Sequence, residues 1–488
     1  MKNLFKKFKN WNPSVYAVIL LSLVPFLLLL AKGFSLDNDF WFLINTGKTI
    51  LNDGFIHVEP FTIHQGLTFV PQQWLTDVVF YLIYNNFGIK GMFYLTVACN
   101  CLILFLSYKV AFLVSNNRRK SLIITIICNC YLMINGFLTT RPQMFDIIFF
   151  TLEIYLLELF IKKGKAKYLY FIPLISLVLI NYHASMWPMI FVLMLPYYGE
   201  YLYLKIKKRE TFKVNNLLIV TFISILVGFI NPYGIEAMGY LFNSYGIKEI
   251  DLFITEMRST TIDGLYGKMY FVIILIVLSS FYCNKDKNLC RYFLLSLGTI
   301  YLGLLHFKGV VYLIIVLPLV LSFNFKNNRT CYDVKVLFYE KIAYVSMIIA
   351  FLFLICFKME MSTNEYLKDF ADYLDNEADY DIILYTNYND GGYMEYRGYK
   401  SYIDPRAEVF LKSNNKKEDI FQEYYNVCKG RMDVVEFINK YSFDYLLVDS
   451  DENELLRELQ NNNHYEEVYK KITNASNEIT HYLFRRIE

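Results

Sequence analysis

Apolar residues in this chain of 488 residues gather into runs close to the length that crosses a bilayer. A hydrocarbon core about 30 Å thick needs roughly 20 helical residues to span it. Only helices and closed barrels satisfy their own backbone polar groups there. Eleven runs can be counted, near 15–32, 91–114, 121–138, 143–161, 168–182, 185–204, 215–231, 268–283, 291–306, 309–324 and 341–358. Charged residues are 19% of the chain, against about 25% in soluble domains. A soluble enzyme and a disordered chain are both excluded. The pattern predicts an all-α polytopic membrane protein with about 11 transmembrane helices.

Charge divides the chain near Lys358. Residues 1–358 carry 33 Lys and Arg against 18 Asp and Glu, whereas 359–488 carry 15 against 27. The second part is also mostly polar, so a membrane portion (1–358) and an acidic soluble portion (359–488) are expected. The basic residues sit in short clusters between apolar runs, which argues against nucleic acid as a partner. Cysteine supplies no framework. Cys99 with Cys101 and Cys128 with Cys130 lie inside apolar runs, where two-residue spacing sends them to different helix faces. The tail holds Cys428 alone and can form no internal disulfide. The excess of Asn, Lys, Ile, Tyr and Phe is what an AT-rich bacterial genome encodes.

The positive-inside bias gives an orientation. With the N-terminus cytoplasmic, the cytoplasmic segments hold 22 Lys and Arg, among them Arg118-Arg119-Lys120 and Lys205 to Lys213, and the opposite segments hold seven. A multi-pass protein of the bacterial plasma membrane with an extracytoplasmic C-terminal domain follows. The run at 15–32 reads as an uncleaved span, because no small-residue cleavage site follows it. Two external loops are long, 33–90 and 231–268. In the first, Phe40 to Leu51 has helical spacing and stops at Asn52-Asp53-Gly54. Trp74 to Tyr84 is a second apolar helix, too short to span and ended by Asn85-Asn86-Phe87-Gly88; both suit an interface. The tail reads as a small α/β domain. Helices are expected at 364–377, 416–428, 431–441 and 453–461, and strands at 381–388, 399–403 and 443–448, with a closing pair at 465–471 and 482–486.

Ionisable residues at a span's end are expensive and therefore candidates for function. Asp37 and Asp39 follow the first span and could supply a general base, a metal site or both; equally, they could cap the helix beginning near Phe40. His57 and His64, seven apart around a proline, do not make a helical zinc pair. Arg141, before Pro142, suits a phosphate bidentately or snorkels to the surface. His183 could serve a site or cap a helix. Asn231-Pro232-Tyr233-Gly234 is first a turn. Glu256 and Arg258 lie in the next loop, and His306 and Lys308 put two cationic groups in a tight external connection. A carboxylate pair and several anion sites on one face point to a lipid phosphate meeting a base.

At this point the residues resemble a bacterial family of multi-pass membrane proteins grouped with the GT-C glycosyltransferases. The resemblance is carried by Leu36-Asp37-Asn38-Asp39-Phe40-Trp41, Asn52-Asp53-Gly54, Glu59-Pro60-Phe61-Thr62 and Gln73-Trp74-Leu75. It continues through Arg141-Pro142-Gln143, Asn181-Tyr182-His183, Asn231-Pro232-Tyr233-Gly234, His306-Phe307-Lys308, Gly391-Gly392-Tyr393 and Ile403-Asp404-Pro405-Arg406. It implies a GT-C-like fold and an inverting transfer from a polyprenyl-phosphate sugar to a glycan or protein acceptor outside the membrane. Asp39 or Asp37 would be the base, and Arg141, His306 and Lys308 would neutralise the leaving phosphate. Trp41, His57, Gln73, Trp74, His183, Glu256 and Arg258 would contact substrate. A divalent cation, Mg or Mn, would sit on Asp37 and Asp39 if anywhere. Two departures stand out: Gln73 replaces an acidic residue and Lys308 an arginine. A flippase for lipid-linked glycans and a non-catalytic envelope scaffold are the competing readings; the flippase would call for broken mid-membrane helices and repeat symmetry.

Overall fold

The computed structural model describes residues 33–244, 247–284, 290–325, 361–363, 365–474 and 479–487. The first and last apolar runs, at 15–32 and 341–358, lie outside them, as do Lys285, Lys287, Lys326, Arg329 and Lys335. Every run between 91 and 324 is mainly helical, although those at 121–138 and 215–231 end in turns beyond Ile134 and Val227.

A short strand β1 (Phe34–Ser35) leads into α1 (Asp39–Asp53). Phe40, Leu43, Ile44 and Gly47 are buried at the spacing of one helix face. Each large apolar side chain so buried is worth about 1.5–3 kcal/mol. The helix ends where Gly54, at φ 90°, returns its N–H to Ile50. The helix expected at Trp74–Tyr84 does not stop. It runs on as α2 (Trp74–Ser115), and the foreseen stop becomes a kink at Gly88 with φ 58° and ψ −154°. That backbone belongs to glycine, so the helix bends there.

The bundle continues with α3 (Arg118–Ile134), α4 (Gln143–Lys163), α5 (Ile172–Tyr182), α6 (Met189–Ile206) and α7 (Val214–Val227). After two short helices, α8 (Gly234–Ser244) and α9 (Lys248–Phe253), come α10 (Leu265–Cys283), α11 (Cys290–Leu305) and α12 (Val310–Asn324). Three segments are long and apolar enough to cross a membrane: Trp74–Ser115, Leu265–Tyr282 and Phe307–Asn324. The helices Lys120–Ile134, Ala166–Tyr182, Val214–Val227 and Cys290–Leu305 are apolar but shorter.

In the tail, β2 (Met361–Ser362) pairs in parallel with β1, Phe34 opposite Met361. Then come α13 (Lys368–Glu377), β3 (Leu384–Tyr385), α14 (Gly391–Tyr396), α15 (Ile420–Cys428), α16 (Val434–Tyr441), β4 (Tyr445–Asp449), α17 (Asn453–Asn461), β5 (Tyr465–Asn474) and β6 (Ile479–Arg486). The sheet has the order β3-β4-β6-β5, with β3 parallel to β4 and the other neighbours antiparallel. The strand expected at 399–403 is absent. Ser401 instead makes isolated bridges to Thr62 and Leu384, joining the tail to the first loop.

That joint is extensive. Trp41 packs on Tyr393 and Tyr396 of α14 with ring centroids 5.0 and 4.9 Å away. Leu67 and Phe69 share a core with Phe410, Phe421 and Phe437 of the tail. The tail is thus an α/β unit built onto the first loop.

Gly47 sets how closely α1 approaches α2: a Cβ there would lie 2.1 Å from the Asp77 carbonyl oxygen. Gly47→Ala must push the two helices apart. We expect a loss of about 1–3 kcal/mol, read as a lower unfolding temperature of the purified chain in detergent; an unchanged temperature would contradict this packing.

Candidate functional site

Asp37 and Asp39 divide the two roles that the sequence leaves open. The Asp37 carboxylate accepts the N–H of Asp39 at 3.1 Å, so it is Asp37 that caps the start of α1. Asp39 is the first helical residue, and its carboxylate reaches the cavity beside it.

Arg141 ties the constellation together from the turn before α4. Its Nη2 donates to Asp37 at 2.9 Å and lies 3.2 Å from Asp39; its Nη1 donates to Glu256 at 2.8 Å. The guanidinium occupies the point where a cation between Asp37 and Asp39 would sit. Among the described residues no group of three or more His, Cys, Asp or Glu is placed to hold a metal ion. Arg141 is thus paired with three carboxylates, Asp37, Asp39 and Glu256, where the sequence suggested a phosphate.

A cavity of about 290 Å³ opens over these groups, lined by Asp39, Thr46, Gln72, Gln73, Asp77, Arg141, His183, Glu256 and Lys308 from the loops and helix ends. Tyr388, Asn389, Arg406 and Glu408 complete the wall from the tail. Burial pushes the Asp39 carboxyl up to about 7, with Asp37 and Glu256 acting in the same direction and Arg141 and Lys308 against it. A carboxylate raised to neutrality is a better base than an ordinary one near 4. The native carboxyl holds its proton more tightly than the unfolded chain does, so Asp39 subtracts stability as pH rises from about 4 to about 7.

A second cavity of about 330 Å³ adjoins the first and shares Gln143 and Lys308 with it. Apart from Asp146 and His306 its other walls are mainly apolar, including Ile147, Phe150, Leu241, Phe242, Val311 and Ile315. His306 lines this second cavity, where its Nδ1 meets the Met257 carbonyl at 2.6 Å. Lys308 therefore stands at the junction of a polar and an apolar chamber.

Compared with known protein families and with characterised proteins, the chain matches none. The geometry carries the argument alone.

Several expected contacts are corrected by the structure. Trp41 is buried among Phe40, Tyr84, Tyr393 and Tyr396, away from the cavity, because the apolar face of α1 takes it inward. Trp74 donates its Nε1–H to Asn181 at 3.0 Å, and Thr76 donates to the Tyr182 carbonyl at 2.8 Å. With Ala184 N–H on the Gln72 carbonyl, these bonds pin the loop before α2 to the turn after α5. Trp74 and the Asn181-Tyr182-His183 run thus position Gln72, Gln73 and His183, and only those three line the cavity. His183 is held by Asp146 at 2.6 Å. His57 is exposed beside Tyr233, and Arg258 is exposed on its short loop; neither lines the cavity. The Asn231 side chain accepts the Tyr233 N–H at 2.8 Å, so the Asn-Pro-Tyr-Gly run is the turn it was expected to be.

Residues that sequence reasoning missed come from α1 and the tail: Thr46, Tyr388, Asn389 and Glu408. Arg406 was visible only as part of an Asp404-Pro405-Arg406 run. It is 5% exposed and bonds Asp404 through Nε at 2.9 Å and Glu59 through Nη2 at 2.9 Å. Phe61 and Phe69 stack on the guanidinium at 5.1 and 4.8 Å.

Proposed function

We propose that the chain is a multi-pass membrane glycosyltransferase of the GT-C kind, using a polyprenyl-phosphate sugar at the external membrane face. The observation that supports this most is the junction at Lys308: a polar chamber with a carboxylate opens directly onto an apolar one. A donor whose one end is a sugar and whose other is a hydrocarbon needs that pair of environments, with a cation where its phosphate lies. In this reading the isoprenoid chain rests along Phe150, Val311 and Ile315, and the phosphate meets Lys308. The Asp39 carboxylate takes the acceptor hydroxyl proton while that oxygen attacks the anomeric carbon. The bond from that carbon to the phosphate oxygen breaks, its electron pair leaves with the polyprenyl phosphate, and the configuration inverts.

The same reading includes 11 spans, a cytoplasmic N-terminus, a tail outside the plasma membrane of a bacterium, and an envelope glycan or protein as acceptor.

Binding of farnesyl phosphate to the purified chain in detergent tests the junction. Lys308→Met should weaken it about 10–100-fold, as expected for a lost charge-assisted contact, and leave farnesol binding unchanged. Equal affinity in both proteins would remove Lys308 from the donor site.

The base makes a prediction in pH. Below about 7 the ionised fraction of Asp39 falls tenfold per unit, so kcat/KM should rise with pH and level off above about 8. A profile flat from about pH 5 upward would show that this carboxyl is not the base.

A further inference from the structure

Besides Arg141 Nε, whose guanidinium is already paired with carboxylates, three buried polar atoms in the wall of the polar cavity have no hydrogen-bond partner among the described residues: Thr46 Oγ1, Asp77 Oδ1 and Arg406 Nη1. Their residues are 1%, 2% and 5% exposed. A buried polar group left unpaired is costly and rare, and three around one cavity call for a common explanation. They come from three separate elements: α1, the start of α2, and the tail. No single turn or cap accounts for them. Asp77 and Arg406 also lie close enough for their charges to interact.

We propose that Thr46, Asp77 and Arg406 form a subsite for the hydroxyl groups of an uncharged sugar, with the tail supplying one of its walls. This rests on the glycosyltransferase reading and deepens it, by naming what fills the polar chamber beyond the phosphate. The chemistry selects the ligand. A carboxylate oxygen accepts, a guanidinium N–H donates, and a threonine hydroxyl does both. Neighbouring sugar hydroxyls each donate and accept, so they answer all three. A cation would meet Arg406, and burial pushes the Asp77 carboxyl well above the usual range, so the pair sits best beside a neutral polyhydroxylated group. Phe42, Phe69 and Tyr388 line the same cavity and offer flat apolar surface to the C–H face of a sugar ring. The tail then is part of the binding site and not a cover: without Arg406 the subsite has lost its donor.

The test compares the affinity of farnesyl phosphate with that of farnesyl phosphate esterified to glucose, galactose, mannose, ribose or N-acetylglucosamine, on the full-length chain in detergent. At least one sugar should tighten binding about tenfold or more over farnesyl phosphate, the scale of hydrogen bonds to charged groups. Asp77→Asn and Thr46→Val should each remove most of that gain while farnesyl phosphate binds as in the wild type, which also shows that the variants are folded. If farnesyl phosphate binds and no sugar adds affinity, or if the gain survives both substitutions, the subsite is refuted and the phosphate site stands. If farnesyl phosphate itself fails to bind the wild-type chain, the proposed function and the subsite fall together.

Discussion

Replacing Asp39 by asparagine should leave the fold and donor binding in place and lower turnover by about 10²–10⁴-fold, the usual cost of removing a general base. An amide has nearly the shape of the carboxylic acid but cannot take the acceptor proton. The helix does not depend on it, because the N–H at the start of α1 is capped by Asp37. Asp37→Asn is the internal control: asparagine caps about as well as aspartate, so this variant should keep most activity and lose part of the Arg141 pairing. The comparison is made on glycan transfer at matched membrane levels. Loss in Asp37→Asn with full activity in Asp39→Asn would exchange the two roles, and full activity in both would take catalysis out of this loop.

The second large effect concerns Arg406. It is the guanidinium within reach of three buried carboxyl groups, Asp404, Glu59 and Glu395. Burial, with Asp404 adding to it, pushes the Glu395 carboxyl well above the usual range, whereas Asp404 and Glu59 make the direct bonds to the guanidinium. Arg406→Met would leave both buried without a counter-charge. Breaking such a pair from one side costs about 3–5 kcal/mol. The expected result is a chain whose tail and first loop unfold at a clearly lower temperature, measured by intrinsic fluorescence of the purified protein. Arg406→Lys should recover part of the loss, since a lysine supplies the charge without the fork. An Arg406→Met protein as stable as the wild type would contradict the buried network.

Local periodicity made much of this architecture readable. Phe40, Leu43, Ile44 and Gly47 spell one face of α1, and Asn453–Asn461 forms the helix its spacing implies. Gly88 was legible as a break, but whether a break ends a helix or kinks it depends on what the next turn packs against. The site was legible in part for the same reason. Asp39, Arg141 and Lys308 each stand near the end of an apolar run and Glu256 in a loop on the same side, and the ends of runs on one side must meet. Asp77 and Arg406 could not be found that way. Asp77 lies within an apolar helix, and Arg406 reaches Glu59 across 347 positions of chain. Trp41 and Trp74 misled because an aromatic among polar loop residues reads the same whether it faces a ligand or the protein interior. Their faces were decided by Tyr393 and Asn181, which the local sequence does not specify.

The central claim is that one cavity joins a base, Asp39, to a lipid-phosphate donor. It is tested most directly by mass spectrometry of envelope glycans and lipid-linked sugars in a strain lacking this gene, complemented with the wild type or with Asp39→Asn. The account predicts that a glycan modification lost in the deletion returns with the wild type alone, while the polyprenyl-phosphate sugar accumulates with Asp39→Asn. Return of the modification with Asp39→Asn at wild-type levels would contradict it.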